Sequence, residues 1–275
     1  MTVNIITIDR DKIRGPGHNY VWSTIRSLKG SEWAGSGDRA TLCVGSRDTK
    51  YLDGCGLDIL EWDEESQKEL ESAKDCDPVR LALCLNYERA LRHGSGGVVI
   101  LEDDVNLCPD WSSRLDSAIK EIPSERYILA LYSPVDLSDE RLRRGDNHRS
   151  YPAADFYGTQ AMYYPECVRL EIADFLHERR RSGYAADIII KQWAVANQCL
   201  YALSGSVAEH AGNFSSIRSD FNSCIHGAWN LLCDPRDTLP TGCNKVLYMF
   251  VAHREILDAA RSRVSASMDL SLIHI

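Results

Sequence analysis

The run Val98-Val99-Ile100-Leu101-Glu102-Asp103-Asp104-Val105 joins four consecutive apolar residues to three consecutive carboxylates. Four apolar residues in a row suit a strand covered on both faces, as at the parallel centre of an α/β sheet. The acids then fall where such a strand leaves the sheet. In open α/β sheets, ligands bind outside the carboxyl ends of the strands. Adjacent carboxylates repel one another, and a divalent cation relieves that repulsion. Mg²⁺ and Mn²⁺ prefer such hard oxygen ligands. The plainer alternative is a solvated acidic turn that follows a strand.

Upstream, Asn4–Ile8 is a β-branched run followed by a polar, glycine-containing loop over Asp9–Gly17. Helical spacing covers His18–Leu28, and Ala40–Gly45 and Leu57–Trp62 read as strands. Val79–Arg92 carries Leu81, Leu85, Glu88 and Leu91 at helical spacing before Gly94. Gly97–Val105 reads as one strand, Trp111–Ile122 as a helix and Tyr127–Tyr132 as a strand. This alternation predicts an α/β fold with a mixed, mostly parallel central sheet flanked by helices. After Ser133 the texture changes. Asp136–Ser150 reads as an irregular charged loop, Tyr157–Tyr164 as a strand, and Glu166–Arg180 and Asp187–Asn197 as helices. Leu200–Leu203 reads as a strand, Gly205–Asn222 as a loop and Arg254–Ser265 as a last helix. No linker stands out, so 1–275 is predicted to be a single domain with halves 1–133 and 134–275.

The 275 residues are 44% apolar and 26% charged, the composition of a chain with a core. Lys plus Arg is 31 and Asp plus Glu is 40, a formal charge of −9. That balance disfavours a generic binder of phosphate backbones or anionic lipid. No stretch approaches the ~20 apolar residues that span a bilayer. The start, Met1-Thr2-Val3-Asn4-Ile5-Ile6, lacks the basic-then-apolar pattern of a signal peptide. A cytoplasmic location and reduced cysteines are therefore expected, with Cys43, Cys84, Cys108, Cys167 and Cys199 in or beside apolar runs. Cys224, His226, Cys233 and Cys243 match no common zinc spacing.

An apolar strand ending in Glu102-Asp103-Asp104 resembles the metal-binding motif of GT-A glycosyltransferases. The pattern looks most like the family 25 type (lipooligosaccharide and collagen sugar transferases) and the N-acetylglucosaminyltransferase IV type. Three further stretches follow in the order those families use. They are Tyr157-Gly158-Thr159-Gln160-Ala161-Met162, Ala185-Ala186-Asp187-Ile188-Ile189 and Glu209-His210-Ala211-Gly212-Asn213.

The resemblance, over about Val98 to Ile217, implies a single Rossmann-like GT-A domain with a site for Mn²⁺ or Mg²⁺. Asp104 would bind the metal directly, Glu102 or Asp103 would contact metal, ribose or a bound water, and His210 would be a further metal ligand. The cation would neutralise the departing nucleoside diphosphate. Gly158 would let backbone approach the donor sugar or acceptor; a glycine at a bulge reads equally well. Asp187 would be the general base, which implies inversion at the anomeric carbon, and it also reads as a helix N-cap. His210 reads alternatively as an ordinary surface or core histidine. In such folds the loop after the first strand holds the nucleoside, so the resemblance makes Thr7, Asp9, Arg10 and Arg14, and Ser46 and Arg47 after the second strand, candidates by topology alone, with Arg10 or Arg14 meeting a phosphate or base edge.

The activity implied is metal-dependent transfer of a hexose or N-acetylhexosamine from a nucleotide-diphosphate sugar, expected to be a UDP-sugar. The acceptor would be a hydroxyl of a glycan, protein or other molecule, with nucleic acid disfavoured by net charge. Two other classes stay open. One is a nucleotidyl or phosphoryl transferase, with Arg14, Gly15 and Gly17 as a phosphate cradle; the other is a catalytically inactive nucleotide-sugar-binding protein.

Overall fold

The computed structural model describes residues 1–9, 11, 19–46, 48–134, 137, 144–156 and 158–210. Its strands are β1 (Thr2–Thr7), β2 (Arg39–Val44), β3 (Asp58–Leu60), β4 (Val98–Glu102), β5 (Val105–Leu107), β6 (Ile128–Ala130), β7 (His148–Ser150), β8 (Ala161–Tyr164), β9 (Leu200–Leu203) and β10 (Ala208–His210). The helices are α1 (Val21–Lys29), α2 (Glu64–Ser72), α3 (Pro78–Arg92), α4 (Trp111–Glu121), α5 (Glu166–Arg179) and α6 (Ala186–Asn197).

The four apolar residues of β4 alternate between two cores, as a period of two requires. Val99 and Leu101 pack with Val21, Ile25 and Leu28 of α1 and with Trp111 and Leu115 of α4. Val98 and Ile100 pack on the opposite face with Leu91 of α3, Ile172 of α5 and Trp193 of α6. Each such side chain, fully withdrawn from water, stabilises the fold by about 1.5–3 kcal/mol. Helices on both faces leave the sheet edges as the place for chemistry.

The eight-stranded sheet has the order β3-β2-β1-β4-β8-β6-β9-β7. Strands β3, β2, β1 and β4 are mutually parallel, β8 is antiparallel to β4 and β6, and β7 is antiparallel to β9. The mixed, mostly parallel α/β sheet expected from the sequence is thus present. From β1 the chain steps outward through β2 and β3, then α3 carries it back to β4 on the other flank of β1. The carboxyl ends of β1 and β4 consequently lie side by side where the strand order reverses, which is where open α/β sheets bind ligands.

Local chemistry places the helix that makes this return. Asp77 accepts from the N–H groups of Val79 and Arg80 at 2.9 and 3.4 Å, and Pro78 occupies the first turn of α3. At the far end, Asn4 Nδ2 donates to the Ala90 carbonyl at 2.7 Å, and Arg169 Nη1 to the Leu91 carbonyl at 2.6 Å. Buried polar side chains thereby satisfy the last carbonyls of α3.

The structure departs from the sequence reading in several places. Gly97–Val105 is two strands, β4 and β5, separated by a turn at Asp103 and Asp104. β7 lies inside the segment read as an irregular loop, and β10 inside the one read as Gly/Asn/Ser loop. The polar helix α2 was not anticipated. Cys43, Cys55, Cys76, Cys84, Cys167 and Cys199 are free thiols, whereas Cys108 is disulfide-bonded, which corrects its reading as reduced. The expected helix at Arg254–Ser265 and the group Cys224, His226, Cys233 and Cys243 lie outside the described residues. Among the described residues no helix is long and apolar enough to cross a membrane.

Candidate active site

The three acids after Leu101 face three different partners. Asp103 bridges the two strand exits: Thr7 Oγ1 donates to its Oδ2 at 2.8 Å and the Ile8 N–H to the same oxygen at 3.4 Å. Its carbonyl accepts from Thr24 Oγ1 at 2.9 Å, while the same hydroxyl accepts the Val105 N–H at 3.1 Å. Thr7 and Asp103 are each 3% exposed. Asp103 thus locks the exits of β1 and β4 together, and Thr24 of α1 carries the chain through the turn into β5.

Asp104, also 3% exposed, emerges at the apex of that turn. β10 pairs antiparallel with β5, and its register sets His210 opposite Val105. His210 Nε2 consequently lies 3.2 Å from Asp104 Oδ2. The Tyr132 ring stands beside the imidazole, with centroids 6.3 Å apart. A chain separation of about a hundred residues closes to one contact because a three-residue strand pairs with β5.

Glu102 ends β4 beside the start of β8. Its N–H donates to the Gln160 carbonyl at 2.8 Å, and its Oε1 accepts from Thr159 Oγ1 at 3.1 Å. Gly158 precedes this pair with φ +69°, a left-handed conformation costly for residues with a Cβ. Lys191 Nζ of α6 donates to the Ala154 and Phe156 carbonyls at 2.6 and 3.3 Å and so fixes the approach to Gly158. Gly158 therefore stands at the β4 exit for a backbone reason.

On the β2 side, Ser46 Oγ donates to the Asp48 carbonyl at 2.9 Å. The Tyr51 hydroxyl lies 3.5 Å from Thr7 Oγ1 and also interacts with the Ser46 side chain. Burial pushes the Tyr51 phenol up, and the charges of Asp103 and Asp9 add to the shift. Asp9 is buried, and its Oδ1 accepts from Asn19 Nδ2 at 3.0 Å. Arg10, Arg14 and Arg47 lie outside the described residues. Tyr51, Thr24, Thr159 and Asn19 complete the edge; Thr159 lies in the quoted Gly158 stretch without a role of its own, and no site motif surrounds the other three.

Asp187 occupies the first turn of α6, whose N-cap is Ala185, so its reading as the cap is corrected. Gln198, at φ 50°, ψ 41°, turns α6 directly into β9. Helix and strand run in opposite senses, so the N-terminus of α6 lies at the sheet edge where β4 and β9 end. The preceding loop is tied to α3 by Arg80 Nη1, which donates to the Gly183 carbonyl at 2.5 Å. Asp187 adds its charge to the burial that pushes the Cys84 thiol of α3 up to about 12. Two residues on in α3, Asn86 Nδ2 donates to the Cys43 carbonyl at 2.8 Å and the Thr7 carbonyl at 3.4 Å, at the ends of β2 and β1. α3 thus spans from Asp187 to the β1 exit.

Among the described residues, no group of three or more His, Cys, Asp or Glu side chains is arranged to hold a metal ion. The expected set Glu102, Asp104 and His210 resolves into a facing pair and a Glu102 bound to Thr159. The spacing of the pair is that of an ion pair and would equally suit two neighbouring ligands of one cation. Two adjacent ligands at about 2.1 Å from an octahedral ion lie roughly 3 Å apart, and Asp104 Oδ2 and His210 Nε2 are 3.2 Å apart. An oxygen with an imidazole nitrogen suits Mn²⁺ better than Mg²⁺.

No protein-family model matches the sequence, nor does any curated protein. Solved structures show similarity in chain trace. Staphylococcus aureus TarS 1-349 in complex with UDP-GlcNAc is 12% identical over 75% of this chain and 57% of that one, with a TM-score of 0.45. The glycosyltransferase GlyE of Streptococcus pneumoniae TIGR4, in its apo form, is 11% identical over 72% of this chain and 44% of that one, with a TM-score of 0.41. A putative glucose-1-phosphate thymidylyltransferase from Bacillus anthracis is 13% identical over 79% of this chain and 92% of that one, with a TM-score of 0.44. The chain thus spans little more than half of the TarS chain and under half of GlyE. These neighbours share a chain trace only, and the functional reading rests on the geometry of the site itself.

Proposed function

We propose that this chain is a metal-dependent glycosyltransferase of the GT-A type, transferring a sugar from a UDP-sugar to an acceptor hydroxyl with inversion. The observation that carries the reading is the Asp104–His210 pair at 3.2 Å, at the exit of β4 and beside the reversal of strand order. Asp104 and His210 would hold Mn²⁺ or Mg²⁺, which when bound neutralises the diphosphate that leaves. Two protein ligands suffice where substrate phosphates supply others. Asp103 and Thr7 keep the β1 and β4 exits at fixed spacing, so the nucleoside half and the sugar half of the donor meet a rigid edge. Glu102, half-exposed beside Gly158, offers acceptor oxygens to donor hydroxyls. Asp187, half-exposed at the N-terminus of α6, takes the proton of the attacking hydroxyl.

The test is product analysis with UDP-, GDP- and CMP-sugars, with and without Mn²⁺. Release of free UDP supports sugar transfer. Pyrophosphate indicates nucleotidyl transfer and overturns the assignment. Binding of UDP with Mn²⁺ but no product with any acceptor class identifies a nucleotide-sugar-binding protein instead.

A further inference from the structure

β4 and β8 pair antiparallel with Leu101 opposite Ala161, and the next step of the register brings the Glu102 N–H to the Gln160 carbonyl at 2.8 Å. Residues opposite one another in an antiparallel pair project to one face. Alternation from Tyr164 through Met162 sets Gln160, like Glu102, on the face covered by α3, α5 and α6. α6 carries Asp187 in its first turn at the same end of the sheet. Gln160 thus shares a face and an edge with Glu102 and Asp187, the side chains proposed to meet the donor and the acceptor.

The space beside Gly158 is filled by the side chain of Gln160. A Cβ added to Gly158 would overlap both amide heteroatoms of Gln160 and lie 2.7 Å from its Cδ. Positive φ is one reason for glycine at 158, and this seat is a second. Gln160 Oε1 is buried and has no hydrogen-bond partner among the described residues. An amide end held out of water without a partner is costly, and a ligand group that completes the bond removes the cost. A sugar hydroxyl both donates and accepts, so it serves whichever end of the amide meets it.

We propose that Gln160, seated against Gly158, recognises a hydroxyl of the transferred sugar beside Glu102. The role rests on the glycosyltransferase reading, and the sheet edge supplies the order of contacts. The nucleoside half of the donor faces the β1 exit, and the diphosphate meets Asp104 and His210 after β4. The sugar then falls on the β8 side, where Glu102 leaves β4 and Gln160 leads into β8. A carboxylate that accepts and an amide that donates and accepts together suit neighbouring hydroxyls of a sugar. Gly158 accordingly serves the sugar through the side chain it admits, not through its own backbone.

Calorimetry in the presence of Mn²⁺ tests this with UDP, UDP-glucose, UDP-galactose and UDP-N-acetylglucosamine. UDP lacks the sugar and so reports the nucleotide and metal contacts alone. Gln160→Ala is expected to weaken the tightest-bound UDP-sugar by about fivefold, the size of one hydrogen bond, and to leave UDP within about twofold of wild type. Gly158→Ala is expected to act alike, because the amide is the far end of a flexible side chain and swings aside. The double variant is expected to bind the UDP-sugar within about twofold of Gln160→Ala, since both changes remove one contact. Unchanged UDP-sugar affinity in Gln160→Ala, or an equal loss for UDP and UDP-sugar, overturns the sugar role, as does wild-type protein that binds UDP and none of the sugars. Losses that multiply in the double variant overturn the seat at Gly158. Wild-type protein that binds neither UDP nor a UDP-sugar overturns the glycosyltransferase reading itself, and the role of Gln160 with it.

Discussion

Among the described residues, two sets of acids meet different bases. Glu69 of α2 and Glu88 of α3 close on Arg180, which meets Glu69 Oε2 at 2.5 Å and Glu88 Oε2 at 2.9 Å. Arg181 adds a contact to Glu69 at 3.1 Å, and Arg92 one to Glu88 at 3.1 Å. Asp104, at the exit of β4, faces His210. Guanidinium stays protonated under any folding condition and offers a rigid fork, so the first group is a permanent clamp between α2, α3 and the end of α5. Imidazole releases its proton near neutrality and then presents a lone pair. Acids held by arginine keep their counter-charge, whereas under the proposed function Asp104 and His210 would share a metal ion between them. A histidine partner alone does not mark a functional acid, since Glu88 also meets His177 Nδ1 at 3.1 Å; what sets Asp104 apart is its place at the exit of β4.

Replacing members of each group sharpens the contrast. Asp104→Asn is expected to reduce Mn²⁺-dependent UDP release by about 10³-fold or more, corresponding to about 4 kcal/mol of transition-state stabilisation, with an unchanged melting temperature. Equal loss of stability and turnover would place Asp104 with the structural acids. Arg180→Met should do the reverse. It removes the guanidinium that Glu69 and Glu88 share, leaving them Arg181 and Arg92, and costs about 2 kcal/mol, or roughly 4–7 °C in a melting scan for a chain of this size, while kcat stays at the wild-type value.

Asp187→Asn is expected to lower kcat by about 10²-fold and leave UDP affinity in calorimetry unchanged. Full activity would remove the base assignment. The smallest effect concerns acid. Burial alone would raise the Glu69 carboxyl, but hydrogen bonds and charge from Arg180 and Arg181 outweigh it and hold the group below the ordinary range. Stability from a depressed carboxyl is present above the unfolded value and lost as the pH falls through the folded one. Urea midpoints of wild type and Glu69→Gln should therefore differ at neutral pH and converge below about pH 4. A gap that persists in acid would show that packing, not ionisation, sets the contribution of Glu69.

Legibility in the sequence followed the length and period of each element. β4, α3 and α6 were readable because apolar residues repeat at strand or helix spacing. The Glu102-Asp103-Asp104 cluster was conspicuous because three adjacent charges are costly wherever they lie. β7 and β10 escaped notice because three residues cannot display a period of two. Each exists through its partner, β9 for the first and β5 for the second. α2 escaped because its sequence, Glu64-Glu65-Ser66-Gln67-Lys68-Glu69, is nearly all polar, and its attachment runs through Glu69 to Arg180, over a hundred residues away.

From its residue order alone, the chain specified an α/β sheet and which strand end would carry negative charge, since both follow from local hydrophobic period and charge density. Tertiary structure decided what each acid does. Asp103 became a brace because Thr7 arrives from the neighbouring strand, Glu102 turned to Thr159 because β8 runs alongside, and Asp104 met His210 because β10 pairs with β5. Such assignments depend on register between segments far apart in the chain, and pairing energies between strands are set only once the sheet has formed.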